Sequence, residues 1–255
     1  WLVDAGGNAS ARTLAAASAP GTAIARTLAV YGHASIDRAI LSHPHPDHYL
    51  GLAALDVPIR QLWFADELAA APERGGRIPS FATVAAALAA RGTRLVRPSL
   101  GTTRTADGVE LEVWAPRYVA TDGAAPVLAP DPVRGVNDNS LVVAIHYAGR
   151  TVLFAGDLEA EGEEVLVEAG LPPADVVKVA HHGSPTSSSE MFVAATHPTL
   201  AVISCGVANA FGFPSPAVVD RWHAAGARVA RTDRDGAITV TIAADGELSV
   251  EHFAP

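Results

Sequence analysis

Three histidines and an aspartate lie within six residues in the segment His43-Pro44-His45-Pro46-Asp47-His48. An apolar run precedes the segment, so we expect a strand to end there. Side chains two apart on an extended chain point the same way, and the two prolines keep this backbone out of a regular helix. Imidazole and carboxylate groups are ligands typical of Zn²⁺ and similar divalent ions. The segment therefore predicts a metal site at a strand end.

The segment also predicts a helix start. Asp47 stands where a helix N-cap would stand, opening a helix over 49–55 with His48 in its first turn. The alternative is a loop with incidental histidines and a capping aspartate. Four ligand-type side chains so close together favour the metal site.

Two further apolar runs end in ionisable residues. Asp157 follows the run Val152-Leu153-Phe154-Ala155-Gly156, and His181-His182 follows Val179-Ala180. Alone, a Gly-Asp pair is usually a turn. Paired histidines are as often structural groups, in the core or on the surface, as they are functional ones. Sites in open α/β folds gather at strand ends, so three such ends in order predict one convergent site. Asp4 before Gly6-Gly7 is either a simple turn or a carboxylate that supports a metal-binding histidine.

Composition limits the classes of function. The chain has 255 residues, 49% of them hydrophobic, which indicates a globular protein with a sizeable core. Its net charge of −9, with Lys178 as its single lysine, argues against binding long nucleic acid through the overall field. A phosphate substrate would have to be held locally. Cys205 is the only cysteine, so no internal disulfide can form, and its apolar setting indicates a small buried core residue.

Short apolar runs alternate with Ala-rich helical stretches, which indicates an α/β fold in one domain over 1–255. Helices are expected over 20–31, 80–91, 160–169, 189–195 and 215–225. Strands are expected over 1–4, 38–42, 61–65, 94–97, 109–114, 141–147, 151–155, 176–180, 200–204, 228–231, 237–242 and 247–251. A long loop is predicted over 121–139, and tight turns are predicted at 148–150 and 244–246.

Together these motifs resemble the metallo-β-lactamase superfamily. The segment from His43 to His48 is similar to its H-x-H-x-D-H signature, and Gly156-Asp157 to the segment carrying its later bridging aspartate. The similarity is closest to the C-terminal domain of ComEC-type competence proteins and covers nearly the whole chain. It also includes Asn137-Asp138-Asn139-Ser140, His181-His182-Gly183-Ser184 and residues 231–238.

The resemblance implies an αββα sandwich. Family members usually have another strand pair before Trp1, so the first strands are expected to be truncated and the chain to be an excerpt. It also implies two divalent metal ions, Zn²⁺ or Mn²⁺. One ion would be held by His43 and His45, the other by Asp47, His48 and His181, with Asp157 bridging. Catalytic roles fall to Asp47, Asp157 and His182, the last as acid or phosphate contact. His181 and His182 could exchange roles.

This chain departs from the family pattern in two places. Most members carry a further metal-binding histidine about 20 residues before the bridging aspartate, where this chain has Asn137-Asp138-Asn139-Ser140. One ion is therefore expected to bind weakly or through oxygen, which favours Mn²⁺. Asp138, Asn139 and Ser184 are candidate contacts to metal or substrate. Phe213 occupies the place of a histidine that ComEC-type domains usually carry.

The function implied by the resemblance is a nuclease or phosphodiesterase acting on single-stranded DNA during DNA uptake. The alternatives are a hydrolase of small esters, lactams or phosphodiesters, and a metal-binding domain of a DNA transporter without turnover. The parent chain would carry a membrane channel, with this domain outside the bilayer of the cell membrane. The sequence alone predicts neither localisation nor oligomeric state.

Overall fold

The structure is a computed structural model that describes residues 1–8, 10–65, 78–105, 107–121 and 123–253. Two compact units divide the chain, Trp1–Pro98 and Ser99–Pro255. Each unit has a sheet and a hydrophobic core of its own. The prediction of one domain over 1–255 stays a prediction. Among the described residues, no helix has the length and apolar character needed to cross a bilayer.

The amino-terminal unit, Trp1–Pro98, is built from parallel strands joined by helices. Its elements are β1 (Leu2–Val3), α1 (Leu14–Ala17), α2 (Ala19–Val30), β2 (Ile36–Ile40), α3 (Pro46–Tyr49), a 3-10 helix (Leu50–Ala54), β3 (Ile59–Trp63), α4 (Phe81–Ala90) and β4 (Arg94–Val96). The strands are parallel in the order β1-β2-β3-β4. The register pairs Val3 with Ile40, so Asp4 and the histidine segment leave the sheet at the same edge.

The carboxy-terminal unit, Ser99–Pro255, contains a larger mixed sheet. Its strands are β5 (Gly101–Arg104), β6 (Glu110–Ala115), β7 (Arg117–Tyr118), β8 (Val127–Leu128), β9 (Val142–Tyr147), β10 (Arg150–Phe154), β11 (Val176–Lys178), β12 (Leu200–Ile203), β13 (Arg228–Arg231), β14 (Ala237–Ile242) and β15 (Leu248–Phe253). Its helices are α5 (Ala160–Glu168), α6 (Glu190–Thr196), α7 (Pro216–Ala224) and α8 (Thr232–Asp235), with a 3-10 turn at Ala180–Gly183.

The larger sheet has the strand order β13-β12-β11-β10-β9-β6-β5. Strands β10 to β13 are parallel to one another, whereas β9, β6 and β5 add on as an antiparallel meander. The carboxyl ends of β10, β11 and β12 therefore lie side by side. Asp157 follows β10 and the paired histidines follow β11, which places both at this edge. The pairs β7–β8 and β14–β15 form small separate ribbons.

Apart from the helix predicted over 49–55, the predicted helices and strands are confirmed, with ends that differ by no more than two residues. The turn at Ala148-Gly149 has positive φ at both positions, as a two-residue hairpin requires. Strands β5, β7 and β8 were not predicted, because Gly101-Thr102-Thr103 is polar and the other two span two residues each. The helix predicted over 49–55 is wrong, since α3 starts earlier and a 3-10 helix follows it.

Candidate metal centre

In the amino-terminal unit, the rings of the three motif histidines lie together. His43 Nε2 and His45 Nδ1 are 2.9 Å apart, and the ring centroids of His43 and His48 are 4.2 Å apart. His45 is extended (φ −83°, ψ 145°), as expected for a residue before proline. The spacing of two thus brings His43 and His45 to one side. His43 and His48 are buried, with 2% of each exposed.

Asp4 supports these histidines from the end of β1. Its Oδ2 accepts hydrogen bonds from Ser42 Oγ at 2.9 Å and from His48 Nδ1 at 2.9 Å, and its Oδ1 accepts from the Ser42 amide at 2.8 Å. A carboxylate only accepts, so the Nδ1 of His48 carries a proton, and in the neutral ring Nε2 keeps the lone pair. Asp4 therefore supports His48, as the second of the two sequence interpretations expects, while metal binding by that histidine stays a prediction.

Ser42 extends the same network to His43. Because the Ser42 hydroxyl donates to Asp4, its oxygen accepts from His43 Nδ1, 3.1 Å away. This leaves the lone pair of His43 on Nε2, the atom beside His45. Ser42 was not predicted from the sequence, although its position between an apolar strand and the first histidine was a usable signal.

Main-chain contacts fix the position of Asp4. The Asp4 amide donates to Ile40 O at 2.9 Å, and the Ala5 amide donates to His48 O at 2.8 Å. Asp4 has a φ of 55°, a left-handed conformation that aspartate tolerates better than most residues. The following loop packs so closely that a Cβ on Gly7 would lie 2.1 Å from Pro46 O. Gly7 is therefore required for the loop to reach the histidine segment.

Asp47 does not cap the helix, contrary to the sequence prediction. Helix α3 begins at Pro46, and His45 is its N-cap residue. Proline is favoured at the first helical position, because its φ suits a helix and its missing N–H would have no helical partner there. Asp47 thus lies in the first turn, 44% exposed, with Oδ2 4.0 Å from His48 Nε2.

In the carboxy-terminal unit, Asp157 is buried at the end of β10. Its amide donates to Ser140 Oγ at 3.1 Å. Lys178, on the neighbouring β11, places Nζ 3.7 Å from Asp157 Oδ1 and donates to Gly156 O at 3.2 Å. The ammonium group of Lys178 thus places a positive charge beside a buried carboxylate. Neither Ser140 nor Lys178 was predicted from the sequence to contact Asp157.

The paired histidines separate into different environments. His181 and His182 both have left-handed backbone (φ 48° and 55°), a strained conformation for residues other than glycine. His182 donates from Nδ1 to Ser204 O at 2.7 Å, and its Nε2 lies 3.5 Å from Asp157 Oδ2. His181 instead has Nδ1 3.2 Å from Glu159 Oε1. His182 is therefore the histidine next to Asp157, and the assignment of His181 as the metal ligand stays a prediction.

The other candidate contacts have structural roles in the same unit. Asp138 Oδ1 accepts from the amides of Glu159 and Gly162, both at 2.9 Å, and so caps the start of α5. The side chain of Asn139 bonds the main chain of the loop over 131–135. Ser184 Oγ lies 2.9 Å from Thr186 Oγ1. These contacts give no support to Asp138 or Asn139 as metal ligands.

A buried carboxylate that the sequence did not reveal supports the segment after the paired histidines. Glu163 on α5 accepts from the amides of Ser188 and Ser189 at 2.6 and 2.7 Å. Burial raises the pKa of Glu163 to about 7, against the opposing effect of these hydrogen bonds. An apparently ordinary helical glutamate therefore anchors a turn in which Ser188 has a φ of 58°.

Cys205 lies just beyond β12 and packs against the core, but it is only partly buried, so the prediction of a buried residue is wrong in that respect. Burial, and then a hydrogen bond from its Sγ to Asp233 Oδ1 at 3.3 Å, raise the pKa of Cys205 to about 11. The group stays a thiol at neutral pH and is a poor nucleophile.

The donor groups fit divalent metal ions. Two ligands about 2.0–2.1 Å from one ion lie roughly 3–3.4 Å apart, close to the 2.9 Å between His43 Nε2 and His45 Nδ1. The hydrogen bonds of His43 and His48 leave each Nε2 as an acceptor, which is the form that binds metal. The carboxylate of Asp157 beside His182 offers a second set of the same chemical type.

The family model described as the metallo-β-lactamase superfamily matches residues 2–207. The chain belongs to this superfamily. It has the metallo-β-lactamase fold. The crystal structure of Tm1679, a metal-dependent hydrolase of the β-lactamase superfamily, aligns with a TM-score of 0.50 at 9% identity. That alignment covers 90% of this chain and 93% of the other, and it supports the fold alone.

Curated relatives confirm the similarity to competence proteins. The chain is 41% identical over 115 residues to competence protein ComA of Neisseria gonorrhoeae, covering 44% of this chain and 17% of the relative. It is 39% identical over 112 residues to ComE operon protein 3 of Bacillus subtilis (strain 168), covering 43% and 14%. These matches span only about one sixth of the relatives' length.

Proposed function

We propose that this chain is a metal-dependent nuclease that hydrolyses phosphodiester bonds of single-stranded DNA during DNA uptake. The observation that carries the proposal is the similarity to competence proteins, at 41% and 39% identity. The histidine motif by itself does not select a substrate, because one fold supports many reactions. We further propose that the parent protein contains a membrane channel, with this domain outside the bilayer.

We propose that the chain binds two divalent ions, one of them weakly. The residues that would hold them are His43, His45, Asp47, His48, Asp157 and His182. His182 replaces His181 because its Nε2 faces Asp157 and its Nδ1 proton is held by Ser204 O. His181, beside Glu159, is left as the proton donor or phosphate contact.

When bound, such ions would lower the pKa of water toward about 7 and stabilise charge on phosphate oxygens. The chain's own groups would prepare the site. Asp4 and Ser42 hold the Nδ1 protons of His48 and His43, so that both rings present Nε2. Lys178 offsets part of the negative charge of Asp157. Since the net charge of −9 repels DNA at long range, substrate binding would depend on these local groups.

The test is an assay of the metal-stripped chain, reloaded separately with Zn²⁺ and Mn²⁺. The substrates are a single-stranded oligonucleotide, bis-p-nitrophenyl phosphate and a cephalosporin. We expect the highest kcat/KM on the oligonucleotide, and loss of at least about a hundredfold in Asp157→Asn with an unchanged melting temperature. Because Asp138 caps α5, it gives no reason to favour Mn²⁺, and both ions are expected to support turnover.

The other outcomes distinguish the alternatives. Preference for the cephalosporin or for the small phosphodiester would indicate a small-molecule hydrolase on the same ligands. Stoichiometric metal binding with no turnover of any substrate would indicate a metal-binding domain without activity. Full activity of Asp157→Asn would remove that carboxylate from the mechanism.

A further inference from the structure

Two phenylalanines stack on each other in the segment after β12. The rings of Phe211 and Phe213 are 5.5 Å apart between centroids and tilted by 21°. Phe211 is 78% exposed, an unusual setting for a side chain of that size. The ring of Phe213 in turn meets His181 edge to face, at 5.8 Å between centroids. The aromatic pair therefore contacts His181 on one side, and Phe211 is open to solvent.

The segment that carries the pair is held in place. Asn209 accepts from the Phe213 amide at 3.0 Å and donates to Phe213 O at 2.6 Å. The Ser215 amide donates to Gly183 O at 2.8 Å. Pro214 packs on Gly183 so closely that a Cβ there would lie 2.5 Å from Pro214 Cβ. The aromatic pair is thus anchored to the segment that carries His181 and His182.

We propose that Phe211 and Phe213 form a stacking subsite for a nucleobase of the DNA substrate, which rests on the proposed nuclease function. A planar exposed ring without hydrogen-bonding groups binds any base through its π-face and reads no sequence. The acidic chain lacks a general attraction for DNA, so base stacking would supply affinity that the overall charge does not. Phe213, in place of a family histidine, would then bind substrate without transferring a proton.

Binding and cleavage are measured separately to test the subsite. Fluorescence anisotropy gives the Kd for a labelled oligothymidylate and for an abasic oligonucleotide of the same length, at fixed salt. The base preference is the ratio of the two Kd values. Phe211→Ala is expected to lower this preference about five- to a hundredfold, the range for loss of one base stack, and Phe211→Trp to retain it.

The matched control is Val207→Ala, which removes another exposed apolar side chain from the same segment and should leave the preference unchanged. Equal Kd values for the two oligonucleotides in the parent chain would overturn the subsite, as would an unchanged preference in Phe211→Ala. The parent chain could bind the oligothymidylate more tightly, lose that preference in Phe211→Ala, and yet cleave neither oligonucleotide. In that case the nuclease proposal fails and the stacking subsite stands.

Discussion

Asp4 and His48 are 44 residues apart in sequence, yet Asp4 Oδ2 accepts a hydrogen bond from His48 Nδ1 at 2.9 Å. The contact sets the tautomer of a histidine at the centre of the metal-binding motif. It depends on the parallel pairing of β1 with β2, which brings the two chain segments to one sheet edge.

Replacing Asp4 with alanine is expected to weaken metal binding by roughly ten- to a hundredfold, because His48 loses the acceptor that orients its ring. Chelator competition measures the affinity. Asp37→Ala is the matched control. The Asp37 side chain is 67% exposed, and its ion pair with the exposed Arg60, at 3.4 Å, lies on the surface. Equal metal affinity in Asp4→Ala and Asp37→Ala would contradict the supporting role.

Gly51→Ala is expected to lower the free energy of unfolding by about 3 kcal/mol or more, because its Cβ would lie 1.9 Å from Ala5 O. The clash would displace the loop that carries Asp4. A Cβ on Gly135 meets no atom within 4 Å, and its φ is not positive, so Gly135→Ala should change stability by less than about 1 kcal/mol. Urea denaturation measures the free energy of unfolding of both variants. Similar values would show that the loop moves and relieves the clash at position 51.

Asp138→Ala is expected to cost about 1–2 kcal/mol of stability while leaving metal stoichiometry unchanged, because Asp138 caps α5. Asp138→Asn keeps an acceptor oxygen and should recover most of the loss. Asp157→Ala should show the opposite pattern, with metal lost and folding retained. Reduced metal content in both Asp138 variants would instead indicate that Asp138 is a metal ligand.

Glu163 predicts a pH-dependent contribution to stability. Its pKa is raised from 4.5 to about 7 in the folded chain. Between these values the folded state binds more protons than the unfolded state, so the contribution of Glu163 falls as the pH rises from about 4.5 to about 7. Compared with Glu163→Gln, the parent chain should lose on the order of 3 kcal/mol of relative stability over this window. A pH-independent difference between the two chains would contradict the raised pKa.

The sequence revealed elements whose signal is local. Strand β10 ends at Phe154, and Gly156-Asp157 follows, so an apolar run and its polar terminus mark Asp157 without any knowledge of the fold. The proline spacing similarly determined that His43 and His45 share a side. Both inferences depend only on backbone geometry within a few residues.

The features that the sequence did not reveal depend on distant partners. The choice between His181 and His182 rests on Ser204 O, which lies on a different strand end, and on consecutive left-handed residues that no local signal required. An aspartate in a loop is equally suited to binding metal or capping a helix, and Asp138 caps one that begins about 20 residues later. Such pairings follow from sheet order, which composition and periodicity do not specify.

The chain's single lysine, Lys178, lies with its ammonium 3.7 Å from Asp157 Oδ1 and is only 18% exposed. Reagents that modify amines therefore have one side-chain target, and it neighbours Asp157, the carboxylate of the proposed metal site. A single mass-spectrometric peak for acylated Lys178 would report the accessibility of that carboxylate's surroundings. Acylation of Lys178 therefore reports on the surroundings of Asp157 without an engineered label.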